Sequence, residues 1–166
     1  MKTPRLLALA ALLLAPTARA EVVRPAPDFP LHGFEKSRSL KSFQGQPVVV
    51  LFADSPTSRA FRSQLRELES SYGHFASRKV LFVAAFREPS ADPVQSNIPF
   101  VLATSGKDAC QSFAVQSPFA IAILGADGNL DYLTNKPLQA NRIREVLQNS
   151  FTVQKALRQK QLTPER

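Results

Sequence analysis

Pro47-Val48-Val49-Val50-Leu51-Phe52-Ala53 runs directly into Asp54-Ser55-Pro56-Thr57-Ser58, and beyond it Phe61, Leu65, Leu68 and Tyr72 recur at spacings of four, three and four residues. The first run is β-branched, of strand length and apolar throughout, the pattern of a strand covered on both faces. In the second, a capping-type residue ahead of a proline marks a helix start. The third is a single apolar stripe on a helix, with Arg59, Arg62, Arg66, Glu67 and Glu69 on its wet side and Gly73 as its expected end. Residues 79–86 are again apolar and strand-like. Residues 47–86 therefore read as a strand–helix–strand unit, whose crossover demands parallel pairing and a right-handed connection.

Downstream, residues 87–97 are polar and contain two prolines, the composition of a loop. Residues 98–103 suit a brief edge strand with Pro99 tolerated at its start. A helix is expected over 106–115 and a strand over 118–124. Gly125-Ala126-Asp127-Gly128-Asn129 then has the residues of a hairpin turn, with 130–134 as the returning strand and a last helix over about 137–151. Upstream, Arg24-Pro25-Ala26-Pro27-Asp28-Phe29-Pro30-Leu31 cannot be helical, because each proline lacks an amide and restricts its predecessor. It is expected to lie extended along the surface, followed by a short helical turn over 39–45. The order β-α-β, link, β-β-α demands an α/β fold with a mixed central sheet and helices on both faces.

The 166 residues, 44% of them apolar, suit one domain with a substantial core. Lys2 and Arg5 precede an uninterrupted apolar stretch over 6–15, and Ala18-Arg19-Ala20 offers small residues where a signal peptidase reads. The stretch falls short of the roughly 20 residues that cross a bilayer. A signal peptide over 1–20, a domain over 21–151 and a helical extension or flexible tail over 152–166 are the expected divisions. The mature product is then periplasmic or secreted, with no membrane span after cleavage. Its formal charge falls from +8 to +5 as Lys2, Arg5 and Arg19 leave. The remaining cations are scattered and not interleaved with aromatics, which argues against nucleic acid as a partner. One cysteine closes no intrachain disulfide, and His32 and His74 have no cysteine pair beside them, so no metal site and no cofactor are expected.

At this point the residues carry a family resemblance. The phrases Ala26-Pro27-Asp28-Phe29-Pro30-Leu31, Ser39-Leu40-Lys41-Ser42-Phe43-Gln44-Gly45-Gln46-Pro47-Val48-Val49-Val50-Leu51-Phe52 and Ser117-Pro118 before an apolar strand ending in Asp127-Gly128 look like the thioredoxin-like superfamily. Among its branches the chain most resembles the peroxiredoxin and alkyl hydroperoxide reductase group, over about residues 26–150. The resemblance implies a thioredoxin-like fold, and it implies that Pro118 is the cis-proline such proteins place beside the active site.

The departure sits where the first strand ends. Thioredoxins carry Cys-x-x-Cys there and peroxiredoxins Thr-x-x-Cys, whereas this chain has Ser55-Pro56-Thr57-Ser58, preceded by Asp54 in place of the customary aromatic. A serine hydroxyl forms no mixed disulfide, so standard redox chemistry is excluded at these degenerate positions. Catalytic serine chemistry needs an adjacent base; His74 lies at the far end of the expected helix, while the sequence leaves the position of His32 open. Ser55 and Ser58 therefore read as helix-capping residues. Cys110, the lone thiol, is either a displaced redox residue or a small apolar side chain on the buried face of the helix over 106–115. The leading function is an exported, non-catalytic module binding a protein or peptide of the cell envelope through Asp54, Arg59, Arg62, Ser117 and Pro118. The alternative is a thiol oxidoreductase or peroxiredoxin-like antioxidant protein depending on Cys110, and a third reading is a structural spacer of the envelope.

Overall fold

Residues 24–33, 38–88, 94–150 and Gln159 are described by the computed structural model of the chain. The expected signal peptide, and the expected tail apart from Gln159, lie outside them. Strand β1 (Pro30–Leu31) pairs antiparallel with β2 (Arg38–Ser39), and a 3-10 turn follows at Leu40–Phe43. The crossover unit consists of β3 (Val48–Ala53), α1 (Arg59–Ser70), α2 (Tyr72–Ser77) and β4 (Leu81–Phe86). Then come β5 (Phe100–Leu102), α3 (Gly106–Ser112), β6 (Phe119–Leu124), β7 (Leu130–Thr134) and α4 (Ala140–Gln148). The main sheet has the order β5-β4-β3-β6-β7, with β3, β4 and β5 parallel and β6 antiparallel to both β3 and β7. This is the mixed sheet that the element order demands.

All six residues of β3 are buried, because alternate side chains enter different cores. Val49, Leu51 and Ala53 meet Phe61, Leu65 and Leu68 of α1 and Ile143 and Leu147 of α4. Val48, Val50 and Phe52 meet Ala109 and Cys110 of α3, together with Phe113, Phe29 and Leu31. Each large side chain so buried contributes about 1.5–3 kcal/mol relative to exposure.

Four local expectations are corrected. The helix foreseen to end at Gly73 is two helices, broken at Ser71 (φ −126°, ψ 14°), because fully buried Phe75 draws a second short helix back onto the core. Gly73 lies inside α2, and the chain turns out of it at Lys79 (φ 54°), so β4 begins at Leu81. The helix over 106–115 ends at Ser112, where Ala114 (φ 53°) allows the Val115 amide to donate to the Cys110 carbonyl at 2.8 Å. The last helix starts at Ala140, after an extended Gln139.

The fourth correction concerns the proline-rich segment. It is extended, but Ala26, Phe29 and Leu31 are core residues. The amides and carbonyls that its prolines leave free tie it down: Ala26 N–H donates to Gly128 O at 3.0 Å, and Leu130 N–H donates to Arg24 O at 2.8 Å. The expected hairpin turn is present, with Gly128 at φ 80° and the Asp127 carboxylate accepting from the Asn129 amide at 3.1 Å.

Candidate functional site

Pairing of Ala53 with Phe119 across β3 and β6 sets the 54–58 turn beside the Ser117-Pro118 bend. Pairing of Ala53 with Phe86 across β3 and β4 brings the end of β4 to the same edge. In sheets with parallel strands, the crevice outside the carboxyl ends of those strands is where ligands collect.

Arg87, the residue after β4, organises this edge. Its amide donates to Ala53 O at 3.0 Å, and the Glu88 amide donates to Asp54 O at 2.9 Å, so the parallel ladder runs into the turn. The guanidinium donates through Nη1 to Asp54 Oδ1 at 2.7 Å, and through Nη2 to the carbonyls of Val115 at 3.0 Å and Ser117 at 2.6 Å. Three segments distant in sequence are thus held by one side chain. Sequence reasoning missed Arg87 and placed it in a polar loop. The available signal was a cation directly after an apolar strand whose end coincides with that of its parallel neighbour.

The bend at Pro118 departs from what the resemblance implies. No cis peptide bond occurs among the described residues, so the Ser117-Pro118 bond is trans. Trans is intrinsically favoured by about 0.5–1 kcal/mol even before proline. Here the Ser117 carbonyl is taken by Arg87, and Ser117 Oγ donates to Phe119 O at 2.7 Å, so hydrogen bonds hold the bend on both sides of the proline.

The four degenerate positions are adjacent, as the sequence requires, but they do not cap as expected. Ser58 occupies the residue before α1 and its carbonyl accepts from Arg62 N–H at 3.0 Å, yet its side chain makes no capping bond. Its Oγ is buried with no hydrogen-bond partner among the described residues. Ser55 Oγ and Thr57 Oγ1 are 3.1 Å apart, a pair that satisfies each hydroxyl locally, and Pro56 is buried between them. Among the described residues, no histidine is hydrogen-bonded to any of these hydroxyls. His74 belongs to α2, where it meets Phe75 edge-on, and His32 lies beyond β1 with its amide on Leu102 O.

Cys110 is only 3% exposed and belongs to the core under α3. Burial pushes its thiol above its ordinary pKa. The charge and hydrogen bond of Arg87 pull the other way, and Asp54 adds to the rise. The neighbours Asp108 and Gln111 offer Cys110 no cation; tertiary structure supplies the charge of Arg87 from the end of β4, while keeping the sulfur from water.

Arg59 and Arg62 project from the start of α1 and are exposed, and neither is in an ion pair among the described residues. Two open grooves flank the turn. One, of about 480 Å³, runs past Pro56, Thr57, Phe61, Arg62, Leu65 and Val94. The other, of about 450 Å³, is lined by Val115, Ser117, Ala120, Leu133 and Thr134, with Leu133 among the exposed large apolar side chains.

No family model and no curated protein match this sequence. Solved structures do resemble it in fold. The pneumococcal exposed lipoprotein thioredoxin Etrx1 from Streptococcus pneumoniae superposes with a TM-score of 0.54 at 21% identity, over 73% of this chain and 98% of that one. The bacterioferritin comigratory protein of Xanthomonas campestris, described for alkyl peroxide reduction, gives 0.55 at 17% identity over 82% and 97%. The reduced 2-Cys peroxiredoxin of Plasmodium vivax gives 0.57 at 16% identity over 84% and 97%. The chain has a thioredoxin-like fold. Among the described residues, no helix is long and apolar enough to cross a membrane.

Proposed function

We propose that the chain is an exported, non-catalytic binding module built on the thioredoxin-like fold, which holds a protein or peptide of the cell envelope where the 55–58 turn meets Ser117 and Pro118. The observation that carries this role is the chemistry at the head of α1. Ser55, Thr57 and Ser58 present oxygen where a disulfide-exchanging protein needs sulfur, and the lone thiol of Cys110 is 3% exposed. Arg87 meanwhile keeps the edge ordered by tying Asp54 to the Ser117 carbonyl, the preorganisation a binding surface benefits from. Competitive mapping tests the role. Crosslinked capture of a partner should weaken on substitution at Asp54, Ser58, Arg62 or Ser117 and should be insensitive to reductant; capture unaffected by all four substitutions refutes it.

One observation favours a second role. The positive charge of Arg87 opposes the effect of burial on the Cys110 thiol, the direction in which a cation acts on a sulfur that reacts as thiolate. A thiol oxidoreductase or peroxide-handling protein would then depend on Cys110. Peroxide consumption or a trapped mixed disulfide abolished by Cys110→Ser would establish it, and activity equal in the variant and the parent would eliminate it.

A further inference from the structure

Arg59, Arg62 and Arg66 follow one another at three and four residues, so they share one side of α1, and all three are exposed. None is in an ion pair among the described residues. The two carboxylates of the same helix are committed elsewhere. Glu67 Oε2 accepts from the Ala140 amide at 3.3 Å, and Glu69 Oε1 accepts from Ser96 Oγ at 3.0 Å and from the Asn97 amide at 3.3 Å. The arrangement works against the helix itself. Its first turn has no acid, and cations there face the positive end of the helix dipole. Like charges three and four residues apart add further repulsion. Arg62 and Arg66 line the groove of about 480 Å³ together with Thr57, Leu65, Glu69 and Val94.

We propose that this groove docks an acidic peptide segment of a partner protein, two carboxylates meeting Arg62 and Arg66 and an apolar side chain between them lying on Val94. The partner chemistry so assigned rests on the binding role proposed above. A guanidinium recognises a carboxylate through paired, directional hydrogen bonds, and it loses less hydration than an ammonium in doing so. Part-buried Val94 beside the arginines offers an apolar contact that a bare polyanion would leave unused. Glu69, which also lines the groove, is held by Ser96 Oγ and the Asn97 amide and is in no ion pair with these arginines among the described residues. The chain is formally +8, or +5 once residues 1–20 leave, and residues 151–166 set Lys155, Arg158, Lys160 and Arg166 against Glu165 alone. A second copy would bring the same excess of cations to the same cations.

Titration of the full chain into a fluorescein-labelled peptide alternating Glu and Leu tests the site by anisotropy. The same peptide with Gln for Glu, inorganic polyphosphate and phosphatidylglycerol vesicles serve as competitors. The Glu-Leu peptide is expected to bind, more weakly as salt rises, with the Gln peptide at least roughly tenfold weaker. Arg62→Gln with Arg66→Gln should lower peptide affinity by about the same factor while leaving the melting temperature equal or higher, since both changes relieve repulsion on an exposed face. Absence of peptide binding, equal binding by the Gln peptide or by the double variant, or tighter binding of polyphosphate or vesicles than of the peptide overturns the proposal. A partner lost on substitution of Asp54 or Ser117 but kept by the double variant removes this site alone, whereas a partner indifferent to both surfaces removes the binding role as well.

Discussion

Arg87 connects chemistry that the chain keeps far apart, since its bonds to Asp54, Val115 and Ser117 span 33, 28 and 30 residues. Its side chain is 21% exposed and that of Asp54 is 41% exposed, so solvent screens much of the pair's Coulomb energy. The two carbonyl contacts make it an organiser of loops more than a source of charge. The same guanidinium bears on Cys110, where burial outweighs it and the native state favours the protonated thiol. A group whose folded pKa is raised contributes stability fully below its unfolded pKa and loses it as pH climbs through the folded one. Urea unfolding of the parent and of Cys110→Ala should therefore show the parent losing ground to the variant on going from neutral to alkaline pH. A constant difference across that range would mean the thiol titrates alike in both states. Maleimide labelling of Cys110 should likewise be slow in the folded chain and rapid in denaturant.

Gln64 shows how an element is seated by a side chain of the wrong polarity for its place. It sits on the apolar face of α1, fully buried, and satisfies both ends of its amide on one residue, accepting from the Leu138 amide at 2.6 Å and donating to the Leu138 carbonyl at 2.9 Å. With Glu67 on the Ala140 amide, it fixes the approach to α4. Gln64→Leu should cost about 1 kcal/mol or more, because the amide and carbonyl of part-buried Leu138 lose their partners while the apolar volume is nearly kept. The midpoint of denaturant unfolding reads this, and an unchanged midpoint would show that water or a shifted link replaces the amide. At the same scale, Gly106 admits α3 against the end of β4, since a Cβ there would lie 1.8 Å from Phe86 O. Helix periodicity located α1 but not its end: the apolar stripe through Tyr72 says nothing of Phe75, whose burial alone justifies a second helix.

Across the whole molecule, both faces of the sheet are covered, one by α1 and α4 and the other by α3 with the proline-rich segment, so that segment is part of the core's closure. Phe29→Ala should then destabilise the fold by about 3–5 kcal/mol, measured by thermal or urea unfolding, whereas a surface strap would tolerate the change with little effect. The strand periods, the crossover and hence the mixed α/β sheet could be derived from the chain alone, because they depend on residues close together in sequence and on the handedness of L-amino acids. So could the absence of sulfur from the 55–58 turn, which is a matter of composition. The isomer before Pro118, the cation beside Cys110, the burial of Phe29 and the meeting of Asp54 with Ser117 were decided by tertiary structure. Each depends on which distant groups arrive at the same place, and local periodicity carries no term for that.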